Sequence, residues 1–270
     1  MNNISYNYEE IFQRNKGVFS VEQLSKLKKL RVAIAGAGGL GGPAAFFLAR
    51  LGVRKIKIAD PETFEVTNIN RQFGSNLNSV GKNKAQVIAE QLKNINPYLE
   101  LEVFENGINQ VNVNGFLEEV DVAIDGIDFF SVDLAKIFYQ VARKKRIWVF
   151  TSQAAINILS FISFNPCGKS FDDIFCIKDE PSLKKIIRFC FPVLPEGITE
   201  GDVDKFLEKK ETHISSHSTP PAIGGGILVE ELLNVIIRKK APMYEAPNLM
   251  LLDLEKMFIY HYKNGKKLNE

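Results

Sequence analysis

Short apolar runs separated by polar or glycine-rich stretches recur along this chain, and their length and spacing define most of its elements. Val-Ala-Ile-Ala over 32–35 has strand length and no polar break, as suits a strand buried on both faces. Glycines follow, and the apolar positions of 43–51 read as a helix. Residues 54–60 (Arg-Lys-Ile-Lys-Ile-Ala-Asp) alternate in polarity and end in an acid, which predicts a second strand. Ala85, Ile88, Ala89 and Leu92 repeat at helical spacing within 81–95, and 21–27 and 132–142 read as further helices. Strands are expected over 99–104, 120–124, 147–151 and 158–164. This alternation argues for an α/β fold, a Rossmann-like doubly wound and mostly parallel sheet. The rhythm stops over 165–217, where Pro166, Pro192, Pro195 and charged patches predict an irregular insertion beside the sheet. A mostly buried C-terminal helix over 221–238 and an antiparallel hairpin of 248–254 with 256–262 are expected to close the fold. No repeat, low-complexity linker or shift of composition marks a boundary. Residues 1–270 therefore read as a single domain, with 1–30 as an N-terminal arm.

Composition narrows the classes. Lys and Arg number 34 against 32 Asp and Glu, a net charge of +2, so no strong field argues for nucleic acid or an anionic membrane. Cys167, Cys176 and Cys190 form no CxxC pair, which fits neither a disulfide framework nor a zinc ribbon and suits a reducing compartment. Residues 32–49 are uncharged and long enough for a membrane span. Five glycines and a proline inside that stretch argue against one. Met-Asn-Asn-Ile-Ser at the start lacks a signal-peptide pattern. A soluble, cytoplasmic protein is expected.

The candidate chemistry begins where the first strand meets its helix. Gly36, Gly38, Gly39, Gly41 and Gly42 crowd this turn, as they would if backbone had to approach a phosphate at a helix start. Asp60 lies nineteen residues after Gly41, at the carboxyl end of the second strand, where a nucleotide ribose presents its hydroxyls. Gly36, Gly38 and Gly41 also satisfy G-x-G-x-x-G, so on these residues NAD and ATP stand level. Cations separate the two, because a triphosphate needs Lys, Arg or Mg²⁺ beyond the loop amides. Asn68-Ile-Asn70-Arg71-Gln72 follows the second strand, and Gly81-Lys82-Asn83-Lys84 opens the next helix. A cation in a helix's first turn opposes the dipole at a cost of about 0.3–1 kcal/mol. A bound polyanion reverses that sign, which favours Lys84 as a functional residue; Lys82 reads equally well as a solvated side chain. Asp128, in Asp125-Gly-Ile-Asp128 after the strand 120–124, could hold Mg²⁺ or cap the following helix, and the two roles are compatible.

Taken together, Gly36-Ala-Gly38-Gly39-Leu40-Gly41, Asp60, Asn68-Ile-Asn70-Arg71-Gln72, Gly81-Lys-Asn-Lys84 and Asp125-Gly-Ile-Asp128 resemble, in order and spacing, the ThiF/MoeB/HesA superfamily of ubiquitin-activating-enzyme-like adenylyltransferases. The resemblance implies that a carboxylate attacks the α-phosphate of Mg·ATP, giving an acyl-adenylate and pyrophosphate. It implies that the glycine loop with Leu40 holds nucleotide, Asp60 the ribose, and Arg71 and Lys84 the phosphates. Asn68, Asn70 and Gln72 would be supporting polar contacts. Asp128 would serve Mg²⁺ and the reacting phosphate. A homodimer is implied, with Arg14 reaching the partner's ATP. The substrate would be the C-terminus of a ubiquitin-like sulfur carrier, a peptide or a small carboxylate; nucleic acid enters only if the chain resembles tRNA-modifying relatives. No membrane is involved. The two CxxC pairs of many relatives are missing here, so no zinc is expected, and Phe129 stands where the family's Asn follows the acid. Such a reaction needs no general base, and His213, His217 and His261 show no ligand spacing. Cys176 and Cys190 sit among apolar residues, as inert thiols do, while Cys167 beside Pro and Gly reads as exposed. Two other readings stand beside this one: an NAD-dependent oxidoreductase, and a non-catalytic nucleotide-bound scaffold.

Overall fold

The computed structural model of the chain describes residues 6–178, 180–208 and 215–268. Helix α1 (Val21–Lys29), capped reciprocally by Ser20 and Gln23, leads into the first strand. Strands β1 (Arg31–Ala35), β2 (Lys55–Ala59), β3 (Glu100–Phe104), β4 (Val122–Asp125) and β5 (Trp148–Ala155) run parallel in the spatial order β3-β2-β1-β4-β5. Helices α2 (Gly41–Arg50), α3 (Lys84–Ile95) and α4 (Val132–Lys144) lie on the crossovers. All of β4 and all but the first residue of β1 are buried, which is why Val32–Ala35 and Val122–Ile124 read as unbroken apolar runs. The chain steps outward from β1 to β3 and returns on the other side of β1 with β4. The reversal therefore sits between β1 and β4, and ligands of such sheets bind at the carboxyl ends of the strands there.

Beyond β5 the sheet departs from the expected alternation. β5 continues to Ala155, turns through Ile156 and Asn157, and pairs antiparallel with β6 (Ile158–Phe164). No glycine marks that turn, so the sequence shows two apolar runs but not their hairpin. Strands β7 (Leu249–Asp253) and β8 (Phe258–Lys263) form the expected antiparallel hairpin. β7 also pairs with β6, and β9 (Lys266–Lys267) completes a nine-stranded sheet.

The insertion 165–217, expected to be irregular, contains helices. A single turn at Phe171–Phe175, then α5 (Leu183–Cys190) and α6 (Glu200–Leu207), start at hydroxyl caps Ser170, Ser182 and Thr199. Each is too short, and too closely bounded by proline, for its period to emerge along the sequence. Their apolar sides join α4, β5 and β6 in one core on that face of the sheet, including Phe175, Ile187, Phe191 and Phe206. The opposite face is covered by α1, α2, α3 and α7 (Thr219–Leu232). A wider turn, Leu233–Ile237, extends α7, which packs on α2, β5 and β6. Residues 219–237 are long and apolar enough to cross a membrane, but 61% of that stretch is buried inside the protein.

Candidate functional site

The turn after β1 is shaped first by the protein itself. Gly36 has φ +97°, and a Cβ there would lie 2.2 Å from the carbonyl oxygen of Gly126 in the turn after β4. A Cβ on Gly41 would lie 1.8 Å from the carbonyl oxygen of Gly36. Backbone packed on backbone already demands these two glycines. Gly39 and Leu40, just before α2, line the neighbouring cleft, whereas Gly36, Gly38 and Gly41, also expected at the nucleotide, do not.

Asp60 is buried and fully engaged. Its Oδ2 accepts from the Ala37 amide at 2.7 Å and its Oδ1 from the Glu62 amide at 2.9 Å. Burial raises the carboxyl above its usual range, and the two amide bonds oppose that rise. Asp60 thus braces the glycine turn and is not among the residues that line the cleft. Asp125, at the end of β4, is also buried, accepting from the Ile127 amide (2.9 Å) and the Tyr139 hydroxyl (2.8 Å). Burial pushes its carboxyl up to about 6.

The cleft at the switch point has a volume of about 480 Å³. Arg71 and Lys84 both line it, with Asn68, Gln72 and Asp128. Lys84 is the first residue of α3; its side chain is 6% exposed and its ammonium lies 2.6 Å from Glu62 Oε2. Arg71 Nη1 donates to the Thr67 carbonyl and to Asn70 Oδ1, both at 2.9 Å. Asn70 in turn donates to the Ser216 carbonyl at 2.9 Å, so it ties the arginine loop to the start of α7 and is not a cleft wall. Gln72 Oε1 and Ser152 Oγ are buried without a hydrogen-bond partner, and their side chains belong to cleft residues. Such orphaned atoms cost free energy unless something else satisfies them. Asp128 is exposed and accepts from the Phe130 amide at 2.8 Å, closing the turn ahead of α4 and leaving α4 itself uncapped by it.

Other expected residues lie elsewhere. Lys82 precedes α3, is exposed and does not line the cleft. Arg14 is exposed in the short turn Gln13–Asn15 and is not part of its own chain's cleft. Cys167 is exposed. The Cys176 thiol is pushed up to about 11 by burial and by Asp172, and burial pushes Cys190 to about 12; both shifts disfavour the nucleophilic thiolate. His213 lies outside the described residues. Among the described residues no group of three or more His, Cys, Asp or Glu is placed to hold a metal ion.

The sequence reading missed Glu62, Glu65, Ser152, Gln153, Phe206 and Ser216, all of which line the cleft. Glu62 and Glu65 share the loop of Arg71, and Ser152 and Gln153 lie toward the carboxyl end of β5, so position on the sheet could have flagged these four. Nothing in the sequence marks Phe206, which arrives from the insertion. With these residues counted, three carboxylates (Glu62, Glu65, Asp128) face two cations (Arg71, Lys84) among the described cleft residues.

The family model of the ThiF family matches residues 12–269. The chain is 32% identical over 155 residues to "Adenylyltransferase and sulfurtransferase UBA4" of Candida albicans, covering 56% of this chain and 35% of that protein. It therefore spans about a third of that relative's length. It is 28% identical over 258 residues to tRNA threonylcarbamoyladenosine dehydratase of Bacillus subtilis, covering 85% of this chain and 97% of that one. Among solved structures, E. coli MccB with ATP superposes with a TM-score of 0.70 at 18% identity, covering 91% of this chain and 67% of that chain. That last likeness speaks for the fold alone.

Proposed function

The chain belongs to the ThiF family, and from that premise we propose that it is an ATP-dependent adenylyltransferase. A carboxylate oxygen attacks the α-phosphorus of ATP, the bond to the leaving phosphate breaks, and acyl-adenylate and pyrophosphate result. The observation that carries this reading is the convergence of Arg71 and Lys84 on the cleft that Gly39 and Leu40 open at the sheet's switch point. A carboxylate is already ionised near neutral pH. Catalysis then rests on holding the reactants together and on stabilising charge at phosphorus.

Each side chain has a role the geometry permits. The start of α2 presents backbone amides to phosphate through Gly39 and Leu40. Lys84 exchanges Glu62 for a phosphate oxygen, and Arg71, already oriented by Thr67 and Asn70, takes another. Gln72 Oε1 and Ser152 Oγ, orphaned without ligand, accept from or donate to groups of the bound substrates. Asp60, which braces the loop through the Ala37 amide, is the residue for the ribose hydroxyls.

The excess of carboxylates over cations in the cleft fits Mg²⁺ arriving with the nucleotide. Magnesium needs only one or two protein carboxylates when phosphates complete its shell. Asp128 would hold the ion, which supplies charge neutralisation at the phosphates. Further positive charge would come from Arg14 of a second copy in a homodimer. The acyl substrate is the C-terminus of a ubiquitin-like carrier, a peptide or a small carboxylate, and the protein works in the cytoplasm.

Pyrophosphate exchange tests the assignment. Label should enter ATP only when a carboxylate is present, and Arg71→Ala should lower the rate sharply. Exchange that needs no carboxylate, or that Arg71→Ala leaves intact, overturns it. Thermal stabilisation by NAD but not by Mg·ATP would replace it with the oxidoreductase reading. Tight ATP binding with no exchange for any acid would leave a scaffold.

A further inference from the structure

Beside the nucleotide cleft lies a second, apolar cavity of about 140 Å³, and we propose that it seats an apolar side chain carried by the substrate acid. The inference rests on the adenylation reading and narrows its substrate class to carboxylates bearing an aliphatic or benzyl-sized group. The cavity shares Phe129 and Phe206 with the cleft and is otherwise walled chiefly by Ile156, Phe191, Leu194 and Val203. An engineered apolar cavity of about 150 Å³ holds one benzene molecule, so this one has room for a single such group. The two shared rings make the cavity the immediate neighbour of the cleft, within reach of a side chain on an acid bound there.

The lining suits a neutral, apolar occupant. Among the described lining residues Asp202 alone carries charge, and its carboxylate is engaged by the Thr199 amide (2.9 Å) and hydroxyl (2.6 Å) at the cap of α6. No lining cation among the described residues is available to hold a second carboxylate or a phosphate. Ring packing fixes the partition between cleft and cavity: Phe129 lies 6.2 Å from Phe191, and Phe130 lies 4.8 Å from Phe206, centroid to centroid. A substrate ending in glycine would leave this volume unused.

Ile156 adds an independent observation. It opens the two-residue turn between β5 and β6 with φ +53°, a conformation in which glycine is the ordinary residue. A β-branched residue held there is strained, and such strain is a pointer to function. What isoleucine supplies and glycine could not is a wall of the cavity.

The test is pyrophosphate exchange with acetate, isovalerate and phenylacetate, and with two otherwise identical short peptides ending in glycine or phenylalanine. Each buried methylene is worth about a fourfold gain, so isovalerate, three carbons longer than acetate, should exceed it by about sixtyfold in kcat/KM and phenylacetate by more. The phenylalanine-ended peptide should exceed the glycine-ended one by at least the isovalerate factor. Val203→Trp, which plugs the cavity, should bring the phenylacetate-to-acetate ratio close to one. Leu194→Phe, a smaller plug, should lower it severalfold and guards against a misfolded first variant. Equal rates for all acids, an unchanged ratio in both variants, or exchange confined to a whole glycine-ended carrier protein would overturn the proposal.

Failure of the adenylation reading looks different: no acid supports exchange. The cavity is then judged by the fluorine resonance of 4-fluorophenylacetate added to the full chain with Mg·ATP. A shift in the wild type that Leu194→Phe abolishes supports the apolar seat; no shift overturns it. A shift that disappears as protein concentration rises assigns the cavity to a second copy of the chain, and also overturns it.

Discussion

The part of the cleft lined from the loops after β1 and β2 and from the start of α3 is made of backbone, amide and charge, whereas the part lined from the turn after β4, β5 and the insertion sets three aromatic rings, Phe129, Phe130 and Phe206, beside Asp128, Ser152 and Gln153. On the first wall residue identity is set by chemistry that tolerates little change. On the proposed reading Lys84 must be cationic, and behind the lining residues the loop after β1 requires Gly36 and Gly41 to lack a side chain. On the second wall Phe129, Phe130 and Phe206 supply shape, which many apolar residues could supply differently. The contrast assigns the common chemistry to one side and the choice of substrate to the other.

That division can be broken experimentally. Arg71→Ala strikes the charged wall and should lower pyrophosphate exchange by about 10²–10³-fold, in line with losing one electrostatic stabiliser of a transition state. The fold should be preserved, since Arg71 bonds only local loop groups. A loss below tenfold would move phosphate binding elsewhere.

Asp60→Ala should act on stability before ligand is added. It leaves the Ala37 and Glu62 amides without their acceptor, and unmet buried donors cost about 1–3 kcal/mol each. A loss of about 3 kcal/mol in urea unfolding of the ligand-free protein is expected. An unchanged midpoint would mean that the residue serves the nucleotide alone.

Asp125 sharpens the comparison, because it is an acid beneath the cleft and not on it. Its carboxyl is raised from 3.8 to about 6 by burial, so the native state holds its proton more tightly than the unfolded chain does. The associated stability is fully present below about pH 4 and is lost as pH rises through about 6. Relative to Asp125→Asn, the wild type should lose about 2–3 kcal/mol between pH 4 and pH 7. Parallel pH profiles for the two proteins would remove this account.

The smallest effect belongs to the second wall. Ile156→Gly relieves a left-handed isoleucine and should raise stability by about 1 kcal/mol, while lowering the preference for apolar acids severalfold. Destabilisation instead would show that the side chain is needed for packing.

Much of the first wall was legible along the chain. A parallel strand, a glycine turn and a helix occupy contiguous residues, and the Arg71 and Lys84 loops follow within one further crossover unit. Their spacing therefore survives in one dimension. Glu62 is unmarked along the chain because it lies 22 residues before Lys84, and only the fold brings the two into an ion pair at 2.6 Å. The second wall was hidden. Phe206 comes from a short helix in the insertion, and the β5–β6 turn that carries Ile156 contains no glycine to announce it.

By itself the amino-acid sequence determined the α/β alternation, the glycine turn, and the order in which its polar and cationic partners follow. Each depends on local spacing, on which residues a strand buries and where a backbone must bend. Only the tertiary structure decided that Asp60 holds the turn together, that β6 and β7 extend the sheet antiparallel, and that rings distant in sequence enclose an apolar cavity. Those outcomes depend on burial and on contacts between segments far apart along the chain, which periodicity does not record.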